Sequence, residues 1–154
     1  MSCDQILSAA RAALSGIPKE GLGEERTSRW RGQRIVRVGE AWHVGVLLLT
    51  DERVFATGEI LRAADPGRRG YAAESARERA ARRQMALRGG FREGEVVHVG
   101  WSDASSVLSV RDGVPMVRWS GASAGRSAGS GGGSGMWRPL EVYLQEQIDL
   151  KTGR

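Results

Sequence analysis

Cysteine, lysine, asparagine and long apolar runs are what this chain has least of, and each shortage removes a class of protein. The single cysteine, Cys3, excludes an intramolecular disulfide and leaves no thiolate set for structural zinc. The only histidines, His43 and His98, stand far apart with no carboxylate at ligand spacing, so neither a metal nor another cofactor is expected. No apolar stretch approaches the roughly 18–20 residues that span a bilayer. Asp4 and Arg11 interrupt the N-terminal segment, so no signal peptide is expected, and the chain reads as cytoplasmic. Leu, Ile, Val and Phe supply only 32 of 154 residues, just above the range in which chains stay disordered. A thin core in one domain is therefore expected.

Arginine is what the chain has in excess. Lys19 and Lys151 are the only lysines beside 21 arginines, and there is no asparagine. GC-rich codon usage produces that pattern, so a basic balance alone does not indicate nucleic-acid binding. Its position says more. Between Arg62 and Arg92 nine arginines face Asp65, Glu74 and Glu78, which gives that segment +6 and leaves the rest of the +5 chain at −1.

Residues 2–15 read as a helix. Ser2 and Gln5 fit a capping box, Leu7, Ala10 and Leu14 form a stripe, and Gly16 and Pro18 stop it. Residues 19–28 are polar and suit a linker. From Ser28 the period becomes two, with strands expected at 34–38, at 44–50 and at 53–61 and a turn at 50–53. A loop at 62–70 leads to a helix over 72–87, where Glu78 precedes Arg82 at i, i+4 and Arg79, Arg82 and Arg83 share a face. Another strand follows at 95–101.

The clearest hairpin joins 107–111 to 114–120 through Asp112-Gly113, pairing Val110 with Pro115 and Leu108 with Val117. Pro115 donates no hydrogen bond, which places it at an edge or a bulge. Residues 121–135 are almost all Gly, Ser and Ala and read as a flexible loop. Pro139 then opens a helix over 139–150 whose buried face is Leu140, Tyr143, Leu144 and Ile148.

Two matches to the G-x-S-x-G nucleophile elbow, at 121–125 and 125–129, fall in that Gly/Ser stretch with both histidines upstream, so they are composition rather than catalysis. No phosphate-binding loop is present around either lysine. His98 alternates with valines, as a structural histidine does. The five tryptophans read as core and rim residues, with Trp30 between Arg29 and Arg31 as the exception.

The stretch Gly45-Val46-Leu47-Leu48-Leu49-Thr50-Asp51-Glu52-Arg53-Val54-Phe55 resembles the hairpin of pleckstrin-homology-like (PH-like) domains, in particular the GRAM and bacterial PH groups. The resemblance implies an α+β, mainly β fold: a PH-like antiparallel β-barrel over 28–150 with a C-terminal capping helix. The helical insertion at 62–92 and the N-terminal helix over 1–18 depart from the family's usual plan. It also implies a non-catalytic binding or interaction module of a bacterial cytosolic protein. The family's phosphoinositide pattern is not met, since only Arg34 and Arg37 fall in the corresponding strand and Glu40 follows. A second reading is polyanion recognition (nucleic acid, an anionic membrane surface or an acidic protein) by the insertion, with Arg68, Arg69, Arg79, Arg82 and Arg83 as ligand-binding residues. Its plain counterpart is a solvated helix face. A third reading is an enzyme site assembled from scattered acids such as Asp51, Asp103 and Asp112.

Overall fold

The computed structural model describes residues 1–65, 73–119 and 136–153. It is an α+β structure, mainly sheet with three helices, and its described residues form two compact units. The first draws on Met1–Lys19, Trp42–Thr57 and Trp101–Arg154, the second on Glu20–Ala41 and Gly58–Gly100. Residues 121–135, expected as a flexible loop, lie outside the described residues, as do Arg68 and Arg69.

In the first unit, α1 (Cys3–Leu14) starts at the capping box the sequence announces, with Ser2 and Gln5 each accepting from the other's backbone N–H. The last residues of β2 (Gly32–Val44) pair with β3 (Leu47–Leu49), and β3 pairs with β4 (Val54–Ala56), all antiparallel. The expected single strand over 44–50 is thus interrupted: Gly45 at φ +61° and Val46 form a two-residue turn, and Val44 pairs with Leu47. The apolar Val46 conceals that turn in the sequence. The strand expected over 53–61 also divides, into β4 and β5 (Glu59–Arg62), which pair with β3 and with β6 (Val96–Val99) respectively.

The rest of this unit is β7 (Ser102–Asp103), a 3-10 turn at Ala104–Ser106, and a three-stranded sheet in which β9 (Val114–Trp119) lies between β8 (Leu108–Arg111) and β10 (Met136–Pro139). Asp112 at φ +51° and Gly113 at φ +76° make the expected turn, in the expected register. Pro115 lies one residue beyond the end of the β9–β10 ladder, so its missing N–H interrupts no pairing there. Strand β10 has no counterpart in the sequence pattern: Pro139 caps α3 (Leu140–Thr152) from outside rather than occupying its first turn. The core joins Leu7 and Leu14 of α1, Leu47 and Leu49 of β3, Val117 of β9 and the predicted face of α3.

In the second unit, the polar segment expected as a linker is β1 (Glu20–Ser28). Its burial is made by glycine. A Cβ at Gly21 would meet the Phe91 ring, and one at Gly23 would meet Ile35 and Val97, so the strand packs by having no side chains there. Strand β1 pairs antiparallel with β2, with a bulge between Leu22 and Gly23, and parallel with β6, which pairs antiparallel with β5. The parallel pair corrects the all-antiparallel expectation. Helix α2 (Glu74–Arg88) sets Met85 and Ala86 into a core with Ile35, Leu61, Phe91, Val97 and Val99. In neither unit do the described strands close into a barrel.

Candidate functional site

The basic insertion is the natural starting point, and the structure separates its arginines. Arg79 is exposed on α2. Arg82 is not available in the same way: its guanidinium pairs with Glu25 of β1 and, through Nε at 2.9 Å, with Glu59 of β5. Arg83 donates from Nε to the Arg62 carbonyl at 3.0 Å, tying the helix to β5. The i, i+4 partner expected for Arg82, Glu78, is thereby replaced by two carboxylates from distant strands. Glu78 instead lines a shallow depression with Glu74, Arg77 and Ala81, where acids offset the arginine.

A second set of arginines lies in the same unit, on the β1–β2 hairpin. From Arg26 to Gly39 the sequence contains Arg26, Arg29, Arg31, Arg34 and Arg37 and no acid. Arg37 is engaged: it pairs with Glu95, reaches Glu40 at 3.4 Å and lies over the Phe91 ring at 4.7 Å. Burial pushes the Glu95 carboxyl up, but the Arg37 guanidinium and the Arg92 amide overcome it and hold the group below its ordinary range. The other four surround the turn at 29–31. Arg26 and Arg34 are directly opposite each other in the ladder, and Arg29 and Arg31 are exposed on either side of Trp30. Trp30 is 94% exposed. The acid-free run could have been found by counting charge on the hairpin as it was counted on the insertion.

The other candidate groups have structural employment. Asp51 takes Lys19 at 2.7 Å, and the Ser105 side chain and N–H together lower the pKa of Asp103, which accepts from that N–H. Asp112 occupies the first of two left-handed positions in the hairpin turn. The half-buried Cys3 thiol is pushed up by burial and by Asp4, the reverse of nucleophilic activation. Buried His98 has the Glu20 carboxylate at 3.4 Å, a partner that sequence spacing did not reveal because the two meet across the β1–β6 pair. His43 Nε2 is 2.8 Å from the Gly45 carbonyl.

The Gly45–Phe55 hairpin is held by side-chain hydrogen bonds at its turn. Thr50 Oγ1 accepts from the Arg53 N–H at 2.8 Å and the Glu52 N–H at 3.3 Å, closing the β3–β4 turn. Arg11 donates to the Thr50 and Arg53 carbonyls at 2.7 and 3.0 Å, and Lys19 lies over the Trp42 ring at 4.6 Å.

Compared with known protein families, with curated proteins and with solved structures, the chain matches none. No helix among the described residues is long and apolar enough to cross a membrane.

Proposed function

We propose that the chain is a non-catalytic, PH-like binding module that holds a polyanionic partner on the arginine-rich surface of its second unit. The observation that carries this reading is the distribution of charge. The second unit has 14 basic against 10 acidic residues, while the first has 9 against 8. Within the second unit Arg26, Arg29, Arg31 and Arg79 are exposed and Arg34 is half-buried, whereas Arg37 is held by Glu95 and Arg82 by its own carboxylates. Guanidinium forks suit phosphate or carboxylate partners. The PH-like part of the proposal is supported by the β3–β4 hairpin with its Thr50–Arg53 turn, and by the C-terminal helix packed into the core beside that hairpin. The non-catalytic part is supported by the structural roles of Asp51, Asp103 and Asp112.

The test is retention of the full chain on heparin across a salt series. Retention that weakens as salt rises supports a polyanion site. Arg79→Gln should elute slightly earlier than wild type and keep its fold, because that side chain is exposed. Arg82→Gln and Arg83→Gln remove intramolecular partners, so they report stability rather than binding. A wild-type chain that flows through at low salt refutes the proposal.

A further inference from the structure

We infer that the tip of the β1–β2 hairpin is a binding site for single-stranded nucleic acid, with Trp30 stacking on a base and Arg26, Arg29, Arg31 and Arg34 meeting the flanking phosphates. This inference rests on the polyanion reading and gives it a ligand class and a place.

Trp30 is unlike the other tryptophans. Trp42 is buried and donates to the Ile17 carbonyl at 2.7 Å, and Trp101 packs on Phe55 with ring centroids 4.7 Å apart. Trp119 and Trp137 lie beneath the guanidinium groups of Arg138 and Arg111. Trp30 keeps 94% of its surface in water. An indole is the side chain whose exposure forfeits most apolar burial, so a solvated one on a well-formed turn is a face awaiting a partner.

The turn is well formed. Ser28 Oγ accepts from the backbone N–H of Trp30 at 3.2 Å and of Arg31 at 2.9 Å. Gly32 at φ +67° supplies the left-handed residue that returns the chain, and the Ser28–Gly32 pair ends the ladder. The ring is therefore presented from a fixed backbone, which lowers the ordering cost of binding.

Charge selects the partner. Arg26 and Arg34 are cross-strand neighbours, an arrangement that like charges disfavour, and the one ion pair between them and an acid among the described residues is a 3.4 Å contact from Arg26 to Glu24. At a rise of about 3.3 Å per residue, Arg26 sits roughly 7 Å behind Ser28, within a side chain's reach of anything resting on the ring. Four arginines flanking one exposed indole on the hairpin match a strand that alternates phosphates with flat bases. A duplex hides its base faces, so the ring favours unpaired strands. An anionic membrane fits less well: beside Trp30 the tip carries Thr27, Ser28, Gly32 and Gln33, and no second large apolar side chain is exposed there.

The experiment uses the full chain with fluorescently labelled oligothymidylate, followed by anisotropy over a salt series. Duplex DNA of equal length, heparin and phosphatidylserine vesicles serve as the other arms. Oligothymidylate should bind more tightly than duplex. Trp30→Ala should weaken that binding about 5- to 150-fold, the worth of one base stack, while leaving heparin elution unchanged. Trp30→Phe should recover most of the loss. Arg29→Gln with Arg31→Gln should lower both oligonucleotide affinity and heparin retention, and reduce the log–log salt slope by about 0.7 for each phosphate that is no longer neutralised. Unfolding midpoints of all variants should match wild type, because these side chains are exposed. Heparin retention without oligothymidylate binding overturns this inference and leaves the polyanion reading standing, whereas failure of both arms removes both. Equal oligonucleotide affinity in wild type and Trp30→Ala, or Trp30-dependent binding to vesicles only, also overturns it.

Discussion

Gly45→Ala is the substitution for which the structure makes the sharpest demand. Gly45 sits at φ +61°, and a Cβ there would overlap the hydroxyl end of Tyr143. That hydroxyl accepts from the Val46 N–H at 3.0 Å, so the turn between β2 and β3 is joined to α3 at one point. Alanine brings two penalties. The left-handed backbone costs an L-residue about 1–2 kcal/mol. Displacing the Tyr143 hydroxyl leaves the Val46 donor unsatisfied for about 1–2 kcal/mol more. The single variant should lose about 2–4 kcal/mol in urea unfolding followed by tryptophan fluorescence. Tyr143→Phe alone should lose about 1–2 kcal/mol, since it gives up the same hydrogen bond. In the double variant only one loss of that bond is possible, and a ring freed from its hydroxyl anchor can tilt away from the new methyl. The combined cost should therefore fall short of the sum by about 1–2 kcal/mol, well beyond the scatter of independent sites. Additive costs, within about 0.5 kcal/mol, would show that Gly45 is required for its dihedral angle alone and that the contact with Tyr143 has no energetic part.

Leu144→Ala should cost about 2–4 kcal/mol by the same assay, because the side chain is buried in the core of the first unit and its removal leaves a cavity. Gly89→Ala should destabilise by about 1–3 kcal/mol, since a Cβ there would meet the main chain of Ile35, which cannot swing aside. Gly16→Ala, with open space around it and no positive φ, should be neutral or stabilising by up to about 1 kcal/mol. The Glu95 carboxyl is held low in the folded state, so its contribution is present above the unfolded carboxylate pKa and is lost as pH falls through the folded one. Glu95→Gln should accordingly flatten the acid side of the stability–pH curve, and an unchanged slope would show that the Arg37 pair is not felt.

Local signals in this chain are legible wherever the deciding atoms are neighbours in sequence. The Ser2–Gln5 box, the Asp112-Gly113 turn with its register, and the apolar face of α3 all depend on residues a few positions apart, and the structure contains each of them. Signals fail where a side chain's meaning depends on a distant partner. Polar β1 passes for a linker because its burial is achieved by Gly21 and Gly23 receiving Phe91 and Ile35, which no local pattern displays. The Gly45-Val46 turn is masked because valine at its second position looks like more strand.

The same distinction governs the candidate site. Charge density on the 62–92 insertion is a local count, and it overstates the free charge because Glu25 and Glu59 reach Arg82 from elsewhere in the unit. The hairpin is the opposite case. Its acid-free run is equally local, yet its weight comes from the 94% exposure of Trp30 and from the Ser28 hydroxyl that fixes the turn. An Arg-Trp-Arg triplet reads alike whether the indole is tucked under its neighbours, as Trp137 is under Arg111, or held out in water. What separates a solvated basic face from a recognition surface is thus the balance of counter-charge supplied by the fold, together with a rigid apolar element that the fold declines to cover. By that standard Arg82 of the insertion is neutralised by two carboxylates, whereas the four hairpin-tip arginines share one 3.4 Å ion pair among the described residues, Arg26 with Glu24, which is why Trp30 and its four arginines are where binding should be sought first.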